Sequence, residues 1–270
     1  MGKVRFFVFK CLFYSMIYFV EKSSIVRKIW GTSDTILFIF AGAAAEFALN
    51  KAVDWLYFTG RLPTDPLGRL FSTVAYARKI VFAPEHEALQ AIDTMASIHK
   101  AVENSRGDTI PQWAYRDVLY MLIYYSIAAH ELLEGKLSPS EKEEVYQVFF
   151  RVGARMGLQS LPKNYDQWLP SREQHLHNDL QKSHYTEDLF KQYKKHLGTI
   201  RFKLLLEAQK LVVPPYIIEL LNFRKFSLLS PMVPGYKLSR WLHIDHWVKY
   251  LLLPKNYQAQ IKALDIKKGT

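Results

Sequence analysis

Between Pro111 and Gly135 runs a stretch, Trp113-Ala114-Tyr115-Arg116-Asp117-Val118 through Leu133, that is apolar on nearly every side when wound as a helix. A helix with an oily surface all round has no side to offer water and must be enclosed by other elements. Tyr124, Tyr125 and His130 are polar groups carried into that enclosed position. The flanking segments also read as helices. Asp65 can cap a helix whose first residue is Pro66, because proline there loses no intrahelical bond. Ser33-Asp34 can cap a helix running from Ile36 to Phe47, and Ser138-Pro139-Ser140-Glu141 is a capping box that opens an amphipathic helix to about Met156. Pro162 and Pro170 punctuate a loop, and further helices are expected near 171–182, 186–196, 199–212 and 215–223. No run alternates cleanly with period two. The expected class is all-α: a single helical domain spanning 32–225, with an apolar and basic helical segment at 1–31 and a basic extension at 226–270 packed on it.

Two neighbouring helices carry the candidate chemistry. On the first, Arg69, Thr73, Tyr76 and Ile80 fall at spacings that share a face, with Ser72 beside Thr73. On the second, Ile92, Met95, His99 and Val102 form an apolar row holding one imidazole. Imidazole, guanidinium and hydroxyl converging on an apolar space are what a haem pocket needs: an axial ligand, a partner for a propionate or for oxygen, and a hydrogen-bonding group. A core histidine held by a backbone carbonyl accounts for the same spacing. Tyr124, Tyr125 and His130 are further candidates for the pocket wall. The small residues Gly42, Ala43, Ala44 and Ala45 allow close approach of another backbone or of a flat cofactor.

The net charge of +11 is uneven. Residues 1–31 carry six basic side chains against one acid, and residues 190–270 carry fifteen against four, around a mildly acidic middle. Basic ends interleaved with Phe, Tyr and Trp fit peripheral contact with a membrane surface or an acidic partner. A solvated basic face is the plain alternative, and no nucleic-acid recognition motif is present. The apolar run at 5–20 is interrupted by Lys10 and is too short to span a bilayer; it reads as a buried or interfacial helix. No cleavable signal follows it, and the single cysteine, Cys11, permits no intrachain disulfide, so the expected location is cytoplasmic.

Several chemistries lack their residues. No glutamate has a histidine three positions on, as a di-iron bundle requires, and there is no Gly-rich nucleotide loop, His-Glu-x-x-His or Gly-x-Ser-x-Gly. His175 and His177 point apart on a helix and make a poor chelate, whereas His243, Asp245 and His246 have workable spacing for a metal but lie in the basic tail.

An ordered set of short motifs identifies a family. It runs from Gly42 to Ala45, then Thr64-Asp-Pro-Leu-Gly-Arg-Leu-Phe-Ser-Thr73, Ile98-His99-Lys-Ala-Val102, Asp117 through Ser138, and Arg151-Val-Gly-Ala-Arg-Met-Gly-Leu158. Over roughly residues 35–215 the chain resembles the MpaB/rubber-oxygenase catalytic domain family. The resemblance implies a single globin-like helical domain around a haem pocket, with non-covalent haem b, and a haem-dependent oxygenase (an oxidoreductase) that cleaves hydrocarbon double bonds with dioxygen, on an apolar, isoprenoid-like substrate. It places the axial iron ligand at His99 and the distal Arg-x-x-x-Thr pair at Arg69 and Thr73. Rubber oxygenases carry a lysine before that threonine, where this chain has Ser72. The Ala-His-Pro of many bacterial members is replaced by Lys51-Ala52-Val53, and a second frequent histidine by the residues around Leu119-Tyr120. A haem carrier or sensor without turnover and a haem-free membrane-surface helical protein are the rival readings.

Overall fold

The structure is a computed structural model that describes residues 17–60 and 64–241. Eleven α-helices are described: α1 (Ile25–Trp30), α2 (Ser33–Phe47), α3 (Asp54–Phe58), α4 (Pro66–Phe82), α5 (Glu85–Arg106), α6 (Gln112–Leu133), α7 (Pro139–Arg155), α8 (Tyr165–Asp179), α9 (His184–Val212), α10 (Pro215–Leu220) and α11 (Val233–Trp241). A single 3-10 turn, Ser230–Met232, precedes α11. Two isolated bridges, Tyr18 to Pro84 and Asn50 to Leu180, are the only strand-like pairings among the described residues. The chain is all-α. The apolar run expected at 5–20 and the tail beyond Trp241, including His243 and His246, lie almost wholly outside the described residues.

α6 is the enclosed helix that its composition demands. It packs on α1, α2, α7, α8 and α9, and its buried residues, from Ala114 through Tyr120, Ile123 and Tyr125 to Leu133, go most of the way round it. Two glycines set how closely its neighbours approach. A Cβ on Gly42 of α2 would lie 2.2 Å from the Tyr125 ring, and one on Gly153 of α7 would lie 2.7 Å from Leu119. The small-residue face of α2 is therefore filled by an aromatic ring of α6. Trp30 closes the same core from α1, fully buried, with its indole N–H donating to Ser126 at 3.2 Å. Burying a side chain of that size contributes about 2–3 kcal/mol.

Local signals set many boundaries. Asp65 accepts from the Gly68 amide at 2.8 Å over Pro66, and Ser138 and Glu141 form the reciprocal capping box. α9 breaks at Gly198, whose φ of 73° a larger residue rarely adopts. The structure overrules two expectations, one through a tertiary contact and one through a local cap. Thr32, not Ser33 or Asp34, occupies the cap of α2; Asp34 is buried and binds Arg240 at 2.7 Å and the Tyr236 hydroxyl at 3.1 Å, tying α11 to α2. Pro170 lies inside α8, which starts at Tyr165 because Asn164 accepts from the Gln167 amide at 2.9 Å and lays down the preceding turn.

Candidate active site

α4 and α5 form a helical hairpin joined at Ala83-Pro84, with Arg69, Ser72 and Thr73 on the first helix and His99 on the second, close enough for the Arg69 charge to act on the imidazole. The Arg69 guanidinium reaches one turn along α4 and donates to Thr73 Oγ1 at 3.1 Å and Ser72 Oγ at 3.3 Å. Both hydroxyls donate in turn to the Arg69 carbonyl, at 3.2 and 2.8 Å. The three side chains are one hydrogen-bonded unit with its charge fixed in place.

His99 stands opposite on α5, partly buried behind the fully buried Ile92 of the same row. Its ring meets Tyr115 of α6 edge to face, with centroids 5.3 Å apart. Burial lowers its affinity for a second proton, and the nearby Arg69 cation lowers it further; the Met95 carbonyl and Glu103 act in the opposite sense. The ring is therefore neutral near pH 7, the form in which an imidazole nitrogen can bind a metal. Nδ1 is buried and makes no hydrogen bond, one turn above the Met95 carbonyl.

Glu103, missed in the sequence, organises this end of α5. It is 7% exposed and accepts from Lys100 at 3.1 Å, from the Ile110 amide at 3.0 Å and from the Tyr115 hydroxyl at 3.3 Å. Burial raises its pKa, but these donors and the Lys100 charge outweigh that and hold it below the ordinary carboxylate value. The signal was available: Glu103 follows His99 by four positions and so shares its face. Tyr115 and Glu103 also line a cleft of about 440 Å³ with Ala96, Ser97, Lys100 and Leu158.

The other expected residues, Tyr124, Tyr125 and His130, lie elsewhere. Tyr124 follows Tyr115 by nine positions on α6, half a turn out of phase and roughly 13 Å further along. It sits under the Arg172 guanidinium, 5.4 Å from its ring centre, and burial raises its pKa to about 12. His130 is 4% exposed near the end of α6, where burial and then Lys28 keep it neutral. Arg69, Ser72 and Thr73 form one hydrogen-bonded group whose charge acts on His99; Tyr124 and His130 are not part of it.

A second polar group is buried where α2, α6 and α8 meet. Glu46, fully buried, accepts from Arg172 and, at 2.8 Å, from the Tyr125 hydroxyl. Burial disfavours the Arg172 cation, but Glu46 more than compensates and raises its pKa. The pair joins α2 to α8 behind Tyr125.

Over residues 29–245 the chain matches the family model described as ER-bound oxygenase mpaB/B'/Rubber oxygenase, catalytic domain. It belongs to this family. No curated protein and no solved structure matches the chain. The matched span of the MpaB/rubber-oxygenase domain takes in α2 through α11, and with them the Arg69 unit, His99 and the Glu46–Arg172 pair. No helix among the described residues is long and apolar enough to cross a membrane.

Proposed function

We propose that this member of the oxygenase family is haem b-dependent and acts with dioxygen on an apolar, isoprenoid-like substrate. The observation that carries the reading is the facing of Arg69, Ser72 and Thr73 on α4 by a neutral His99 on α5. The residues suit the group. His99 would hold the iron through one ring nitrogen, while the Met95 carbonyl, which interacts with the ring, would take the proton on the other. Arg69 offers a fixed cation to a propionate. Haem b, when bound, supplies the iron at which dioxygen is activated for attack on a carbon–carbon double bond. The protein's own part is positional: Tyr115 and Glu103 hold the His99 ring, and the Thr73 and Ser72 hydroxyls hold the Arg69 charge.

The test is the visible spectrum and haem content of the purified protein. One haem per chain with a strong Soret band, lost or grossly altered in His99→Ala, is expected. A protein that stays colourless and takes up no added haem discards the reading. Haem present without dioxygen consumption on apolar polyenes selects the carrier or sensor instead.

A membrane surface is the second feature of this reading, favoured by the segment leading into α11. Phe226, Leu228, Met232 and Leu238 are each 57–63% exposed, next to the exposed Arg224 and Lys225. Apolar side chains at the surface among cations suit the interface of an anionic bilayer. Sedimentation with phosphatidylserine vesicles but not with phosphatidylcholine, weakened by salt and by Phe226→Ser with Met232→Ser, is expected. Equal recovery with both lipids removes the proposal.

A further inference from the structure

α8 carries His175 and Asp179 one turn apart, the spacing that places two side chains on one face. Asp117 of α6 meets them. Its Oδ1 is 3.2 Å from His175 Nδ1, and the same nitrogen contacts Asp179 Oδ2 more closely. The donor atoms of the three residues all lie within 4.8 Å of one another.

Two observations distinguish this group from an ordinary histidine with an acidic partner. Asp117 is 1% exposed, and although its Oδ2 accepts from the Asn50 side chain, its Oδ1 has only the 3.2 Å approach of His175 Nδ1, the nitrogen that Asp179 takes, and no well-formed hydrogen bond of its own. Two carboxylates also compete for a single ring nitrogen, so the group is short of positive charge and of donors. Buried carboxylate oxygens are almost always satisfied, and a cation satisfies both of these at once.

The surroundings are built to hold such an arrangement. Asn50 takes the Ala52 amide at 2.8 Å while its amide group orients Asp117. The end of α8 is tied to the same segment by the Lys51 amide on the Asp179 carbonyl at 3.0 Å and the Gln181 amide on the Leu49 carbonyl at 2.7 Å. The Tyr120 ring stands edge-on to His175, 5.2 Å between centroids. The side chains of His175 and Asp179 are 10% and 17% exposed, which leaves a wet side for entry and for a water ligand. The group is separate from His99: Asp117 is two residues from Tyr115 on α6 and points to the opposite side of that helix.

We propose that Asp117, His175 and Asp179 bind a divalent cation of the zinc or manganese class, which fastens α8 to α6 and to the segment between α2 and α3. One imidazole with two carboxylates suits these ions, whereas calcium and magnesium favour oxygen alone. Ligands about 2.1 Å from a tetrahedral ion are roughly 3.4 Å apart, so the Asp117–His175 separation already fits and Asp179 has to withdraw by about one ångström. The charges of the two carboxylates match the dication.

The full chain, stripped with chelator, is titrated with Zn²⁺ and with Mn²⁺ by calorimetry and by thermal unfolding, with Mg²⁺ and Ca²⁺ alongside. The expected result is one equivalent of Zn²⁺ or Mn²⁺ bound, a Tm that rises with cation concentration, and at least a tenfold loss of affinity in both Asp117→Asn and Asp179→Asn. Asp179 lies at the wetter edge, so its variant keeps the test valid where Asp117→Asn disturbs folding. Absence of stoichiometric Zn²⁺ or Mn²⁺ binding, binding that survives Asp179→Asn unchanged, or preference for Mg²⁺ or Ca²⁺ overturns the proposal. Because the readout is the added cation, the result is independent of haem content.

Discussion

His99 and Tyr115 meet edge to face with their ring planes at 89°, and the Tyr115 hydroxyl donates to Glu103, one turn beyond His99 on α5. The contact holds the imidazole from the α6 side while Arg69 faces it from α4. Tyr115→Phe keeps the ring contact and loses one hydrogen bond to a carboxylate, a loss of about 1–3 kcal/mol in stability. Tyr115→Leu also removes the edge-to-face contact, about 0.5–1.5 kcal/mol more. Denaturant unfolding of the two variants should give that order, with haem uptake weakened further in Tyr115→Leu. Equal values would show that the ring does not position His99.

Two histidines, His130 buried and His99 partly buried, give the stability a pH dependence of defined sign. His99 and His130 both have pKa values below the ordinary 6.5, chiefly through burial. The unfolded chain therefore takes up protons at these positions before the folded chain does. Their contribution is fully present above pH 6.5, falls as the pH drops below 6.5, and levels off once the folded-state pKa values are passed. Unfolding free energies measured from pH 8 to pH 5 should decline over the acid half of the range, and less steeply in His99→Gln and His130→Gln. A slope unchanged in both variants would assign the decline to other groups.

The ion pair of Glu46 and Arg172 is nearly inaccessible to water at both ends, with side chains 0% and 4% exposed. Removing one partner strands the other charge. Arg172→Met should cost about 3–5 kcal/mol, while Glu46→Gln with Arg172→Met should recover a substantial part of that loss, because a buried pair is often replaceable as a unit. A double-mutant cycle by urea denaturation measures the coupling. Strict additivity would mean that the two charges do not interact.

Local features were legible in the sequence where the chain supplies its own partner. Asp65 over Pro66, the Ser138–Glu141 box and the break at Gly198 are each decided within a few residues, and so is the enclosure of α6. That Arg69 and Thr73 share a face of α4 was legible for the same reason, although not that the guanidinium bonds to Thr73 and Ser72. Asp34 was misread as a cap because its partner, Arg240, comes from the far end of the chain. The Glu46–Arg172 pair spans 126 residues and no periodicity announces it. His175 was weighed against His177, two positions on, when the residue sharing its face is Asp179 at four; His177 turns instead to Glu173 at 3.0 Å and to the Tyr216 ring. Spacing gives which residues share a face, but only packing gives what that face meets.

Gly42 shows the same limit and supplies a test. Its place in a small-residue run fits either a flat cofactor or a close-packed helix, and the occupant is the Tyr125 ring, which a Cβ would meet at 2.2 Å. The ring has little room to yield: Tyr125 is fully buried, and its hydroxyl is held by Glu46 at 2.8 Å. Gly42→Ala should therefore destabilise the protein by about 1–3 kcal/mol through overpacking, despite alanine's better helix propensity. The loss should shrink when Tyr125→Leu is added, since the smaller side chain vacates the space the new methyl needs. Haem content per folded chain should be the same in Gly42→Ala as in the parent, because His99 and Arg69 lie on other helices. Selective loss of haem with unchanged stability would place the cofactor, rather than Tyr125, against Gly42.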